Sequence, residues 1–467
     1  MTQTPLGLRS LRHLLSRSGF GPSLHDWHRW TKLSLSQAQD KIFEEAQAYK
    51  PIPQTDHALP QWGNMRDLTD EERREIREQG ALALRELNVA WIQTMVNDPA
   101  QLREKMAFFW HDHFACRFQV VFLAKGQLER FRKLALGKFG DLLLSISQDP
   151  GMLRFLNNQQ NRKEAPNENF ARELLELFTL GRGHYTETDI KEAARAFTGW
   201  GFNLRKEFIF KPRWHDYGSK TFLGQTGNWN GEDIIRIILE QKRTAYFLVE
   251  KLYRYLVHPT PDPQMVSEWA DYFYQEKYDI EKLLRKIFSS NHFYDLQNQG
   301  SLIKSPVEYL VSLLRLSGAK FQDPQGYLRV QKVLGQTLFQ PPNVAGWPYG
   351  REWIDSSTLM ARLQIPRAML AGESLRLTPK ESFAGNEDAI KLKGNARRLM
   401  VEINWPHLEK LFGEHFPLEM MTDYLLTQPL TGAPLEGLNQ HLAGLSFQER
   451  LKGQMAYLLS SPEFQLC

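Results

Sequence analysis

Apolar residues recur at intervals of three and four positions along most of the chain, which is the spacing of amphipathic helices. Thr69 to Asn97 is the longest such stretch, and Leu8 to Leu15 forms a short one that we expect to pack against the body of the protein. Only Phe202 to Gly224, with an extended aromatic run, a proline and two glycines, favours a β-hairpin. The pattern predicts a mainly α, multi-helical globular protein with a small β-hairpin insertion.

The stretch Asn167 to Trp200 concentrates charge and helix-ending signals. At about 100° per residue, Glu168 to Leu180 divides into two faces, so we predict an amphipathic helix. The polar face holds Glu168, Asn169, Arg172, Glu173 and Glu176, and the apolar face holds Phe170, Ala171, Leu174, Leu177 and Phe178. Asn167 is the predicted N-cap, and Gly181 or Gly183 can adopt the left-handed conformation that ends the helix.

A second helix follows in the same stretch. Thr186 and Asp189 resemble a capping box, and Ile190 to Phe197 supplies an apolar stripe that ends before Gly199. The two helices should form a hairpin at the centre of the fold, because both carry apolar stripes that need neighbours.

The polar face of the first helix has two interpretations. Glu168, Arg172 and Glu176 are spaced i, i+4, i+8, so the arginine can bond both carboxylates, and Glu173 with Glu176 can offer two oxygen ligands to one metal ion. The ordinary interpretation is a solvated surface. We predict that the face points inward and forms a polar pocket with histidines.

Three histidines are candidates for that pocket. In Phe109 to Phe114, FWHDHF, His113 shares a stripe with large aromatic residues while His111 points about 200° away on a regular helix. A histidine on an apolar stripe is usually a hydrogen-bonded core residue, whereas His-x-His also suits a metal. His215 and Asp216 lie with Lys220 in a chemically dense loop, where the ordinary interpretation is a turn-forming Asp beside an exposed His.

Charge and cysteine content narrow the function classes. The 467 residues carry a formal charge of only +4, without long blocks of one sign, so no nucleic-acid or anionic-membrane partner is predicted. The two cysteines, Cys116 and Cys467, support neither a disulfide framework nor a cysteine zinc site. No signal peptide and no transmembrane segment is recognisable, so a soluble, cytoplasmic protein is the default expectation.

Several motifs together resemble the bacterial family of unknown function numbered 1800. They are RHLLSRSGFGP at Arg12, FWHDHF at Phe109, NENFARELLELFTLG at Asn167, YTETDIKEAARAFTGW at Tyr185, HDYGSKTFLG at His215, KSPVEY at Lys304, GQTLFQPPNVAGWP at Gly335 and SPEFQ at Ser461. The resemblance implies one helical unit over residues 1–467, which we divide into an N-terminal region (residues 1–160), a central motif region (residues 161–360) and a C-terminal helical region (residues 361–467). It also implies frequent export and a sulfatase-like partner encoded nearby, although this sequence lacks the signal peptide.

Two functional hypotheses follow. In the first, His111, His113, Glu173, Glu176, His215 and Asp216 converge on a divalent metal, zinc, iron or manganese, in a hydrolase or, second, an iron oxidoreductase. Glu168 would act as general base, Arg172 would hold a substrate anion, and Lys220 is a further catalytic candidate. In the second, the protein is a non-catalytic binding or assembly protein, and its charged motifs are buried ion-pair networks.

Overall fold

The computed structural model describes residues 7–53, 69–371, 399–413, 417–428, 430 and 432–467, and these are mainly helical. The N-terminal region contains α1 (Leu8–Arg17), α2 (Trp27–Trp30), α3 (Leu35–Gln47), α4 (Asp70–Asn97), α5 (Gln101–His113), α6 (Val121–Leu134), α7 (Phe139–Ser147) and α8 (Pro150–Phe155).

The remaining helices are spread over the rest of the chain. The middle contains α9 (Asn169–Glu173), α10 (Glu187–Ala196), α11 (Gly231–Leu239), α12 (Lys242–Leu256), α13 (Pro263–Gln275), α14 (Ile280–Phe288), α15 (Pro306–Ser317), α16 (Gln325–Leu334) and α17 (Ser356–Ala371). The C-terminal region contains α18 (Trp405–Phe412), α19 (Leu418–Leu425), α20 (Ala433–His441) and α21 (Phe447–Leu459).

The β structure is confined to small antiparallel pairs. The pairs are β1 (Trp200–Phe202) with β2 (Phe208–Phe210), β3 (Lys220–Phe222) with β4 (Gln225–Gly227), and β5 (Lys320–Phe321) with β6 (Val401–Glu402). The predicted fold class is therefore confirmed. The hairpin region contains more β structure than expected, since two hairpins are present in place of one. Trp200 pairs with Phe210 in the first, and Lys220 pairs with Gly227 in the second.

Local signals start α10 and α15 at the residues that the sequence indicates, whereas the N-cap of α9 is Glu168 and not the predicted Asn167. Thr186 accepts a hydrogen bond from the Asp189 backbone N–H at 3.1 Å and its own N–H donates to the Asp189 carboxylate at 2.8 Å, so the predicted capping box of α10 is confirmed. Ser305 and Glu308 form the same device at the start of α15, with Pro306 at the first helical position.

The predicted helix Glu168–Leu180 departs from regular geometry. α9 ends at Glu173, and Leu174–Thr179 continues as a π-helical segment in which the Leu180 N–H donates to the Leu175 carbonyl at 2.9 Å. The Thr179 hydroxyl also donates to the Leu174 carbonyl at 2.6 Å. The wider turn changes which side chains face the core: Leu175 is fully buried, whereas Leu177, a member of the predicted apolar face, is only half-buried.

Side chains from α1 to the C-terminal segment join one buried hydrophobic cluster, whose largest members include Trp91, Trp110 and Trp269. α5 lies inside this cluster, and every residue from Leu102 to His113 is buried. α5 therefore brings His111, Asp112 and His113 into the core together.

Candidate functional site

His111 is held by the segment after α16. Its Nε2 accepts a hydrogen bond from the Phe339 backbone N–H at 3.1 Å, and its ring lies among those of Trp91, Phe339 and Trp347. Burial lowers the pKa of His111 to about 3, so the ring is neutral. His111 thus matches the ordinary interpretation of a hydrogen-bonded core histidine.

His113 contacts the end of the π-helical segment. Its Nε2 lies 3.1 Å from the Phe178 carbonyl oxygen, and its Nδ1 lies 3.3 Å from the Lys251 Nζ on α12. Because a carbonyl only accepts, Nε2 carries the hydrogen and Nδ1 accepts from the lysine. Burial, followed by the charge of Lys251, lowers the pKa of His113 well below its ordinary value.

Three basic side chains bond the last carbonyls of this segment. Lys251 donates to the Leu177 carbonyl at 3.0 Å, His113 donates to that of Phe178, and the Nε of Arg243 donates to the Leu180 carbonyl at 2.9 Å. The final carbonyls of a helix have no partner within it, and cationic donors there also interact favourably with the helix dipole. This explains why the segment ends against α5 and α12.

Asp112 is enclosed by the loop that follows α16. Its Oδ1 accepts from the Trp347 N–H at 2.8 Å, and its Oδ2 accepts from the Tyr349 hydroxyl. Gly346 has a φ of +88°, and a Cβ there would lie 2.4 Å from the Asp112 Oδ1, so only glycine allows this approach. The irregular segment Gly335–Trp353 therefore packs over α5.

The pKa values of Asp112 and Lys251 are shifted in opposite directions by burial in the protein. Burial raises the pKa of Asp112 to about 6, and the charge of Lys251 opposes part of that rise. Burial lowers the pKa of Lys251 to about 8, and the charge of Asp112 opposes part of that fall. We call Asp112, His113, Lys251, Trp347 and Tyr349 the Asp112–Lys251 centre. Tyr349 is 51% exposed, so the centre borders the surface.

The charged face of the first hairpin helix does not turn toward these histidines. Arg172 bonds Glu187 with two contacts of 2.9 Å and Glu168 at 3.2 Å, and the Arg172 and Glu168 side chains are each about a third or more exposed. The expected bond from Arg172 to Glu176 is absent among the contacts of the described residues. Glu176 instead accepts from Arg182 at 2.5 Å and from the Tyr185 hydroxyl at 3.1 Å, because the π segment displaces residues beyond Leu174 from the α-helical register.

Glu173 and Glu176 stay close enough to influence each other. Burial and then the charge of Glu176 raise the pKa of Glu173, which is half-buried. The two carboxylates therefore interact electrostatically.

His215, Asp216 and Lys220 stabilise the hairpin region. His215 is buried and its Nδ1 lies 2.9 Å from the Thr198 carbonyl oxygen. Asp216 accepts from two nitrogens of Arg195, at 2.7 and 3.3 Å, and the bond to Arg195 lowers its pKa. Lys220 donates to the Asp216 carbonyl at 2.6 Å.

The predicted convergence on a metal is not found in the segments of the chain that the structure describes. Within them, no group of three or more His, Cys, Asp or Glu side chains is arranged to hold a metal ion. The reason lies in the separate hydrogen bonds of His111, His113 and His215, each to a different backbone segment.

Sequence reasoning did not assign roles to Lys251 and Tyr349. Lys251 lies among Leu248, Leu252 and Tyr255 in the amphipathic pattern of α12. Two sequence features could have indicated their roles. Lys251 lies inside an apolar stripe, and Tyr349 lies in an apolar loop that is too rich in Pro and Gly to be helical.

The raised pKa of Asp112 leads to a stability prediction. Folding raises this pKa from 3.8 to about 6, so the stability contributed by the protonated carboxyl is fully present below pH 3.8 and is lost as the pH rises through 6. Asn cannot titrate. Between pH 4 and pH 7, the free energy of unfolding of Asp112→Asn should therefore rise relative to wild type, by up to about 3 kcal/mol in urea titrations.

Glu187→Gln is the control for that experiment. The bond from Arg172 lowers the pKa of Glu187, so this substitution should shift the pH dependence in the opposite direction. A difference between Asp112→Asn and wild type that stays constant over the same pH range would contradict the prediction.

Comparison with known proteins gives one match. A model of the family described as "Protein of unknown function (DUF1800)" matches residues 13–466. No curated protein and no solved structure matches the chain. Among the described residues, no helix is both long and apolar enough to cross a membrane.

Proposed function

The chain belongs to the family described as Protein of unknown function (DUF1800), and from that premise we propose that it is an enzyme that performs acid–base chemistry at the Asp112–Lys251 centre, with hydrolysis as the first reaction class. The observation that carries the proposal is a pair of buried groups connected through α5: Asp112 directly precedes His113, whose Nδ1 accepts a hydrogen bond from Lys251, and burial shifts the pKa values of Asp112 and Lys251 in opposite directions, both toward neutral pH. Perturbed pairs of this kind are concentrated at functional sites.

The two pKa values assign the roles near neutral pH. Asp112, with a pKa of about 6, is mainly ionised and can accept a proton from water. Lys251, with a pKa of about 8, is mainly protonated and can stabilise a developing oxyanion or donate a proton to a leaving group. The Tyr349 hydroxyl covers the Asp112 Oδ2, so this half-exposed side chain has to move before water reaches the carboxylate.

The proposal does not use the histidines as metal ligands. His113 orients Lys251, since its Nδ1 accepts from the lysine while its Nε2 donates to the Phe178 carbonyl. His111 binds the loop that carries Trp347 and Tyr349, through the Phe339 N–H. Both histidines therefore act as positioning residues in this scheme.

The test is hydrolysis of p-nitrophenyl acetate, p-nitrophenyl phosphate and p-nitrophenyl glycosides by the purified protein. The rate should rise with pH through about 6, as Asp112 ionises, and fall through about 8, as Lys251 loses its proton. Asp112→Asn and Lys251→Met should each lower kcat by about 10²-fold or more, which is the usual effect of removing a general acid or base.

Two variants serve as matched controls. Asp149 is also a buried aspartate whose pKa burial raises to about 6, but it caps α8, where Asn is an equally good cap. Lys242 is an exposed lysine that pairs with Asp271. Asp149→Asn and Lys242→Met should retain the rate. Lack of turnover of every substrate, or full activity in Asp112→Asn, would refute the proposal.

One observation favours a second candidate, a non-catalytic binding or assembly protein. Lys251 and His113 both bond carbonyls at the end of a helical segment, and Asp112 bonds the loop above α5, so the same contacts serve to hold the fold. In that case Asp112→Asn and Lys251→Met change stability while no substrate is turned over.

A further inference from the structure

The tip of the β1–β2 hairpin presents a leucine to solvent. Leu204 is 89% exposed, more than any other large apolar side chain that the structure describes. The loop that carries it is closed by hydrogen bonds. The Asn203 N–H donates to the Glu207 carbonyl at 2.9 Å, and the Glu207 N–H donates to the Asn203 side-chain oxygen at 2.9 Å. Leu204 therefore projects from an ordered turn.

Aromatic rings lie directly behind this tip. Phe202 pairs with Phe208 across the hairpin, and both side chains are half-buried. Lys206 lies over the Phe202 ring at 5.3 Å, and Lys211 lies over the Trp214 ring at 4.0 Å. An ammonium group thus covers one face of each of these two rings.

Basic residues from a second segment approach the hairpin. The chain between α8 and α9 runs beside it, because the Lys163 N–H donates to the Trp214 carbonyl at 2.8 Å. Burial, followed by the charge of Arg154 on α8, lowers the pKa of Lys206, so these two cations interact electrostatically. The two segments therefore contribute positive charge to one region of the surface.

This region has a local excess of positive charge. Residues 154–164 and 200–214 together contain seven basic and two acidic residues. The basic ones are Arg154, Arg162, Lys163, Arg205, Lys206, Lys211 and Arg213, and the acidic ones are Glu164 and Glu207. Within the described part of the chain, five of the basic residues are exposed and form no ion pair, namely Arg154, Arg162, Lys163, Arg205 and Arg213. The formal charge of +4 for the whole chain does not reveal this excess, because acidic residues elsewhere offset it.

A membrane surface fits this combination of side chains better than a nucleic acid does. Cations attract the anionic headgroups of a bilayer, an exposed apolar side chain between them can enter the headgroup region, and aromatic rings are favoured at the membrane–water interface. A single-stranded nucleic acid would stack its bases on open ring faces, and it would give Leu204 no role.

We propose that the β1–β2 hairpin docks the protein on membranes that contain anionic phospholipids, with Leu204 inserted among the headgroups and the surrounding cations bound to lipid phosphates. Docking of this kind is peripheral and requires no spanning helix. It does not depend on chemistry at the Asp112–Lys251 centre, so its failure would leave the proposed enzymatic function unaffected.

Co-sedimentation of the full-length protein with vesicles tests the proposal. The wild type should pellet with vesicles of two parts phosphatidylcholine to one part phosphatidylserine, and it should remain in the supernatant with phosphatidylcholine alone. Added salt should weaken the binding, since it screens exposed charges. Leu204→Ala should weaken it about tenfold through the lost apolar contact, and Arg205→Gln about fivefold through the lost charge.

Two variants serve as matched controls for these substitutions. Leu296 is 73% exposed but lies after α14, and Arg74 is an exposed arginine on α4. Leu296→Ala and Arg74→Gln should bind the vesicles as the wild type does. All four side chains are on the surface, so we expect every variant to fold.

A fluorescent label at the tip separates insertion from charge attraction alone. Both native cysteines, Cys116 and Cys467, are buried, so a nitrobenzoxadiazole probe can be attached selectively to the variant Leu204→Cys. Its emission should shift to shorter wavelength when phosphatidylserine vesicles are added, because the headgroup region is less polar than water.

Three outcomes would overturn the proposal. They are a wild type that does not pellet with the phosphatidylserine vesicles, equal binding by the wild type and Leu204→Ala, and unchanged emission from labelled protein that is bound to vesicles. Binding of a fluorescent oligothymidine without any binding of vesicles would instead assign this surface to single-stranded nucleic acid.

Discussion

Arg132→Met is expected to lower the free energy of unfolding by about 3–5 kcal/mol, because it leaves the Glu104 carboxylate buried without its cation. Glu104 is fully buried and Arg132 is 1% exposed. The Nε and Nη2 of Arg132 contact the Glu104 carboxylate at 2.8–3.0 Å, and the Trp91 indole N–H donates to the same carboxylate at 3.0 Å. Urea denaturation followed by circular dichroism measures the loss.

Arg74→Met provides the matched control. Arg74 pairs with Glu78 at 2.9 Å, but both side chains are mostly exposed, so the same substitution should cost less than about 1 kcal/mol. Adding Glu104→Leu to Arg132→Met should restore some of the stability, because it removes the unpaired charge. Equal losses of unfolding free energy in Arg132→Met and Arg74→Met would show that the buried ion pair contributes no more to stability than the exposed one.

Leu174→Ala is expected to cost about 2–5 kcal/mol, since it opens a cavity in the core at the start of the π-helical segment. Leu174 is fully buried and belongs to the main hydrophobic cluster. Leu177→Ala, in the same segment, removes the same atoms from a half-buried position and should cost clearly less. Urea denaturation measures the loss of unfolding free energy in each variant. Equal losses would contradict the assignment of Leu174 to the core and Leu177 to its edge.

Periodicity was sufficient to predict the class of fold, and local chemistry was sufficient to predict several helix ends. Thr186 with Asp189 starts its helix as expected, and Gly181 and Gly183 both adopt a positive φ after the π segment. These features depend on residues no more than four positions apart, which is the range of a helical hydrogen bond.

The interior of the first hairpin helix could not be predicted in the same way. Leu174–Thr179 has an ordinary amphipathic pattern, yet it adopts π geometry. Its final carbonyls are bonded by His113, Lys251 and Arg243, which are between 63 and 74 positions away in the chain. Because such partners are absent from the local sequence, the pattern alone indicated a regular helix and an inward charged face.

The sequence by itself determined the helical periodicity, the capping residues of α10, the hairpin region and the placement of His113 on a buried stripe, because each is a short-range property. Only the tertiary structure decided which groups meet. It placed Asp112 under the loop of Trp347 and Tyr349, where the charge of Lys251 acts on it, and it left Glu168 and Arg172 about a third or more exposed with Glu187 as the partner of the arginine. Burial and charge pairing depend on segments far apart in the chain, so the proton affinities of the candidate site follow from packing.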